Sequence, residues 1–116
     1  MKSNFILVPF AANTAPRINL AGNINRHNNL LTIEYQLTGN LNLIYLSKPV
    51  INPLRKNSLW THTCFEFFLG ITNTAQYWEF NLSPTGHWNV YNFNNYRKDL
   101  VEEIAFQDLP FTLTSE

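Results

Sequence analysis

Cysteine, methionine, glycine and charge are all scarce in this chain of 116 residues, which has one Cys, one Met, four Gly and 14% charged side chains. The lone cysteine, Cys64, leaves no internal disulfide and no thiolate zinc cluster. It lies in an apolar stretch, where a free thiol behaves as a small hydrophobe. His62, two residues away, is the one neighbour that would offer it a base. Eight basic and eight acidic residues cancel. Arg55-Lys56 and Arg97-Lys98 are isolated pairs, so no basic stripe is present to meet nucleic acid. No run approaches the roughly 18 apolar residues of a membrane helix. The apolar run Phe5–Val8 stops at Pro9, short of the roughly 7–15 residues of a secretion signal. These absences imply a soluble protein of the cytoplasm with no nucleic-acid or membrane partner.

Aromatic residues are plentiful, at 15% of a chain that is 45% apolar. That supports one domain over residues 1–116 with a real core. Period-two alternation dominates, which is the mark of half-buried strands. In Leu31–Thr38 every odd position is apolar and every even one polar. Gly39-Asn40 then predicts a hairpin into Leu41–Leu46. An earlier strand is expected at Phe5–Val8, and turns at Asn28-Asn29 and Asn94-Asn95. Later strands are predicted at Thr63–Leu69, Gln76–Leu82 and Trp88–Phe93, with weaker ones at Val101–Phe106 and Phe111–Thr114. The first of these is apolar on both faces, which predicts a central strand covered on both sides. Ser83-Pro84-Thr85-Gly86 reads as a tight turn with proline at its second position. No run of ten residues carries a helical period with caps. The fold class expected is all-β, an antiparallel, jelly-roll-like β-sandwich. The chain ends directly after strand-like Phe111–Thr114, so the sandwich is expected to be incomplete at the C-terminus. Unfinished sheet edges would invite self-association.

The segment from Leu59 to Arg97 holds all three tryptophans and the carboxylates Glu66 and Glu79. An indole stacks on the C–H face of a pyranose, while carboxylate, amide and guanidinium groups meet its hydroxyls. Such residues on a rigid sheet suit a sugar. Two blocks carry a further signal. They are Leu59-Trp60-Thr61-His62-Thr63-Cys64-Phe65-Glu66-Phe67-Phe68-Leu69 and Tyr77-Trp78-Glu79-Phe80-Asn81-Leu82-Ser83-Pro84-Thr85-Gly86-His87-Trp88. Together they resemble the DOMON-like superfamily, near family 9 carbohydrate-binding modules and the small bacterial DOMON-like proteins typical of cyanobacteria. About a third of the chain carries the resemblance densely. It implies a β-sandwich and sugar binding, with Trp60 as stacking platform and Glu66 as acceptor of sugar hydroxyls. Members run longer than this chain, and the matching modules close the site with a second, later Trp. On that footing residues 1–116 are the N-terminal portion of the full domain.

Plainer roles stand beside these. Trp60, Trp78 and Trp88 also suit a core. Glu66, flanked by Cys64, Phe65, Phe67 and Phe68, is costly to bury unpaired, with Arg55, Arg97 and Asn81 as candidate partners. Glu79 and Asn81 also suit a network stitching two strands. A glycosidase would need Glu66 and Glu79 as an acid/base pair in a deep cleft, which one small sandwich rarely offers. Some DOMON relatives bind haem through Met and His. Met1 is the sole methionine here, and a bis-His site would need two of His27, His62 and His87 to converge. Calcium would have Asp99, Asp108 and scattered asparagines for ligands. The sequence reading is therefore a non-catalytic carbohydrate-binding module without metal or cofactor. Its expected pocket residues are Trp60, Glu66, Glu79, Asn81, Trp88 and Arg97. A structural or protein–protein interaction domain is the first alternative, and a haem or redox module the second.

Overall fold

The computed structural model describes residues 1–10, 17–95 and 100–114. The chain divides into two compact units, Met1–Tyr45 and Leu46–Glu116. The all-β, antiparallel expectation holds in both. Three strands form one sheet and four another, and no α-helix occurs among the described residues.

The first unit is a meander of β1 (Lys2–Leu7), β2 (Ile18–His27) and β3 (Leu30–Gly39), in that spatial order. Asn28-Asn29 closes the β2–β3 hairpin as expected, pairing His27 with Leu30. Asn28 takes φ 55°, a left-handed conformation that asparagine tolerates better than most residues. β2 went unread in the sequence because Gly22 and its asparagines look like turn material. Its even positions Ile18, Leu20 and Ile24 nevertheless keep the alternation. Gly22 is there for space. It lies between Phe5 and Tyr35 in register, whose rings meet edge-on at 5.8 Å. A Cβ at that point would run into the Phe5 ring and the Glu34 carbonyl oxygen.

The predicted hairpin from Leu31–Thr38 into Leu41–Leu46 does not form. β3 pairs with β2 instead. After Gly39, the Asn40 side-chain oxygen accepts a hydrogen bond from the Asn42 backbone N–H at 3.3 Å. That cap starts a short 3-10 turn over Leu41–Leu43. A local side-chain cap has won over strand propensity.

The second unit carries β4 (Phe65–Gly70), β5 (Tyr77–Leu82), β6 (Trp88–Phe93) and β7 (Val101–Glu102), in spatial order β4-β5-β6-β7. β4 is thus an edge strand of its sheet, not the central strand its two apolar faces suggested. Ser83–His87 makes the β5–β6 turn. The Gly86 N–H donates to the Ser83 carbonyl at 2.9 Å, with Gly86 at φ 96°. The stretch after Leu46 runs beside this turn. Leu54 N–H donates to His87 Nδ1 at 2.9 Å, and Arg55 makes a parallel bridge to Trp88. Of the two weaker strands expected, β7 occupies only Val101–Glu102, and Phe111–Thr114 has no regular structure.

Alternation splits the sheet into two unlike faces. Phe67, Phe80 and Val90 share one rung, and Leu82 and Trp88 the next. With Trp78, Phe106 and Leu109 these make the unit's core, in which Val90 and Trp88 are 0% and 3% exposed. Phe67 and Phe80 stack at 4.4 Å. Burial of each such side chain is worth about 1.5–3 kcal/mol, so this face anchors the sheet and leaves the other for different work.

Candidate functional site

The opposite face carries three rungs of a different character. Glu66, Asn81 and Asn89 form the first. Phe68, Glu79, Tyr91 and Glu102 form the second, and Tyr77 with Phe93 the third. Above them lies an open concavity of about 690 Å³, lined by Trp60, Glu66, Phe68, Tyr77, Glu79, Phe93 and Leu100. Tyr77 and Phe93 stack face to face at 4.7 Å, and Phe68 tilts against Tyr77 at 6.1 Å. The floor is therefore a bed of rings interrupted by two carboxylates.

Trp60 comes from outside the sheet. It sits on a one-turn 3-10 segment, Leu59–Thr61. Ser58, at φ 62°, precedes it, and the Thr61 hydroxyl donates to the Ser58 carbonyl at 2.8 Å. The indole is 51% exposed and meets Tyr91 edge-on at 6.0 Å. The strap leading to it is tied down by polar groups. Tyr91 Oη donates to Asn57 Oδ1 at 3.0 Å, and Asn89 Nδ2 donates to the Lys56 carbonyl at 3.0 Å. Asn89, fully buried, also reaches Glu102 Oε2 at 2.9 Å, and its own Oδ1 accepts from Arg55 Nε at 2.8 Å.

Arg55 is the main structural residue that sequence reasoning misplaced. It was a candidate partner for Glu66; instead its guanidinium faces the β6–β7 side. Beyond Asn89 it donates to the carbonyls of Phe106 at 3.0 Å, Val90 at 2.8 Å and Glu103 at 3.0 Å. It also lies over the Trp88 ring at 5.0 Å. A planar five-donor fork can serve such a spread of acceptors, and no other side chain can.

The site's electrostatics follow from the register. Glu66 and Glu79 are diagonal neighbours on adjacent strands, within about 7–8 Å at Cβ. Burial, and then the Glu79 charge, push the Glu66 carboxyl above its usual range. Burial, then Glu102, push the Tyr91 hydroxyl up as well. The Cys64 thiol is pushed up to about 11, chiefly by burial and next by Glu66. A thiol held there is a poor nucleophile at neutral pH.

The six expected pocket residues are sorted accordingly. Trp60, Glu66 and Glu79 line one concavity. Asn81 shares their face beside Glu66 but is wholly buried, and neither atom of its amide has a hydrogen-bond partner. Trp88 is corrected: it pairs with Leu82 and is buried in the core on the opposite face. Arg97 lies outside the described residues, as do Tyr96 and Asp99. Phe68, Tyr77 and Phe93 were missed. The signal was present, since alternation puts Phe68 with Glu66, and Tyr77 with Glu79. A turn spanning Ser83–His87 sets Trp88 opposite Leu82, which leaves Tyr91 and Phe93 on the carboxylate side.

Among the described residues no three His, Cys, Asp or Glu side chains converge as metal ligands. His87 already accepts the Leu54 N–H, and His62 Nδ1 lies 3.1 Å from the Thr61 hydroxyl. No helix among the described residues is long and apolar enough to cross a membrane. No protein-family model, curated protein or solved structure matches this chain.

Proposed function

We propose that the unit bearing β4–β7 is a non-catalytic carbohydrate-binding module whose site is the ring-lined concavity above Glu66 and Glu79. One observation carries the reading: a half-exposed indole and two carboxylates border the same depression of about 690 Å³. That volume falls within the roughly 300–1,000 Å³ of small-molecule sites. Trp60 offers an apolar face to a pyranose, and Glu66 and Glu79 accept its hydroxyl protons. The resemblance of the Leu59–Leu69 and Tyr77–Trp88 blocks to DOMON-like sugar binders names the same stacking and acceptor residues, Trp60 and Glu66.

Binding without hydrolysis fits the layout. A glycosidase grips its bond between two carboxyl groups on either side of it. Here both carboxylates rise from one face of one sheet, in diagonal register, with the depression open above them. The test is a titration of mono- and oligosaccharides followed by tryptophan fluorescence, for which Trp60 is the exposed reporter and Trp88 the buried one. A saturable shift that disappears in Trp60→Ala, with the unfolding midpoint retained, supports the module. Absence of any shift across the panel, together with concentration-dependent dimerisation, would instead favour an interaction domain.

A further inference from the structure

We propose that two copies of this chain pair antiparallel through the outer edge of β3, about a two-fold axis at Tyr35, joining their three-stranded sheets into one. The inference goes beyond the carbohydrate reading and does not rest on it, because β3 belongs to the unit Met1–Tyr45. β3 stands at the end of the order β1-β2-β3, and among the described residues only β2 pairs with it. That pairing runs without a bulge from Leu30 opposite His27 to Gly39 opposite Ile18. The ten residues of β3 include no proline and no lysine, and Glu34 is their single charge. Short length, proline, lysine and bulges are the means by which natural sheets keep their edges from pairing. β1, at the other edge, has six residues and carries Lys2; β3 has none of these guards.

The bonds on the inner side of β3 decide which backbone groups face outward. The Asn40 N–H donates to the Arg17 carbonyl at 3.3 Å, and the Arg26 N–H donates to the Met1 carbonyl at 2.9 Å. Bonded and non-bonded pairs alternate along an antiparallel ladder. Even-numbered residues of β2 therefore turn their backbone groups to β1 and odd-numbered ones to β3. On β3 the even-numbered residues answer β2, which leaves Leu31, Ile33, Tyr35 and Leu37 presenting N–H and C=O groups to the outside. A second copy can bond to these only if odd residues meet odd. Two symmetric registers of that kind keep the longest overlap, over 30–38 about Glu34 or over 31–39 about Tyr35. The first sets Glu34 opposite the partner's Glu34, and like charges directly opposite are destabilising. In the second, Ile33 faces the partner's Leu37 and Thr32 the partner's Thr38. Glu34 faces the partner's Gln36, whose amide donates to the carboxylate. Aliphatic meets aliphatic, hydroxyl meets hydroxyl, and no charge meets its like. A strand so matched to itself fits the isologous interface of a two-fold dimer.

The test is sedimentation equilibrium of the full chain at low salt, from about 1 to 500 μM, where a single strand pairing gives weak, reversible association. A monomer–dimer equilibrium is expected. The Glu34 and Gln36 side chains are exposed, so charge changes there leave the monomer folded, as circular dichroism at the dilute end checks. Gln36→Lys sets a lysine opposite each Glu34 and should tighten the dimer about tenfold, a gain that fades as salt is added. Gln36→Glu should weaken it about tenfold. A parent chain still monomeric at about 500 μM would overturn the proposal. So would a dimer indifferent to both changes at Gln36, since it would assemble through another surface. A dimer that tightens only in Glu34→Gln would be centred on Glu34 and would overturn the register. The carbohydrate reading is decided separately, by the sugar titration.

Discussion

Replacing Arg55 by alanine probes what holds the site's upper wall in place. The guanidinium, 21% exposed, donates four hydrogen bonds of 2.8–3.0 Å to Asn89, Phe106, Val90 and Glu103. It also covers the Trp88 ring. Its contact with Glu102, 3.8 Å away, is too long to add much. Bonds from a charged donor are each worth about 1.5–3 kcal/mol. They do not add, because they share one side chain, and water enters where it leaves. Val90 also keeps the Glu103 N–H as a donor at 2.9 Å, whereas the Phe106 and Glu103 carbonyls lose their guanidinium donor. Discounted in that way, the loss should be about 3 kcal/mol. A urea titration followed by far-ultraviolet circular dichroism and tryptophan fluorescence reads it. With a slope of about 1–2 kcal/mol/M the midpoint falls by about 2 M. Arg55→Lys should recover less than half, since a point charge cannot reach four acceptors at once. A loss below about 1 kcal/mol in Arg55→Ala, or full rescue by lysine, would refute the clamp.

Two further outcomes follow from the titrating groups. Because the Glu66 carboxyl is held up by burial and by Glu79, the folded state binds that proton more tightly than the unfolded chain. Stability should therefore rise as pH falls from above the elevated folded value towards the ordinary carboxylate value of about 4.3, and be lost as pH rises back through the elevated value. Glu66→Gln should flatten that part of the curve, as read by urea midpoints across a pH series; an unchanged slope would contradict the assignment. For Cys64, a thiol pushed up to about 11 leaves about a thousandth as thiolate at pH 8, against about a quarter in an unfolded chain. Alkylation by iodoacetamide should accordingly be about two orders of magnitude slower in the folded protein than in urea. Equal rates would show the thiol to be exposed and unperturbed.

Much of the β4–β7 sheet was legible in advance. The strands predicted at Thr63–Leu69, Gln76–Leu82 and Trp88–Phe93 lie within two residues of β4, β5 and β6, because each is an aromatic-rich run with period-two alternation between turn formers. The Asn28-Asn29 and Ser83–Gly86 turns were readable for the same local reason. β2 was hidden by its composition, since asparagine and Gly22 argue for a turn unless the even-numbered apolar positions are counted. The partner of β3 was misread because a Gly-Asn pair suits a hairpin and a capped 3-10 turn equally well. The Asn40–Asn42 bond decides between them only once it is formed.

For the site, alternation alone placed Glu66 with Phe68, Glu79 with Asn81, and Tyr91 with Phe93. Each of these is a relation between near neighbours on one strand, governed by the two-residue pleat. Three things needed the folded chain. Register across the β5–β6 turn sent Trp88 into the core, away from the carboxylates, and a one-residue slip would have reversed it. The long-range contacts of Arg55 with residues 34 to 51 positions away fixed the strap that carries Trp60. Apposition of that indole with Glu66 and Glu79 then made a concavity out of a flat face. Amino-acid order determined which side chains share a face, because that is set by backbone geometry within a few residues. Which faces, straps and rings meet was left to tertiary structure, since it depends on contacts whose entropy cost is met only when the whole sheet assembles.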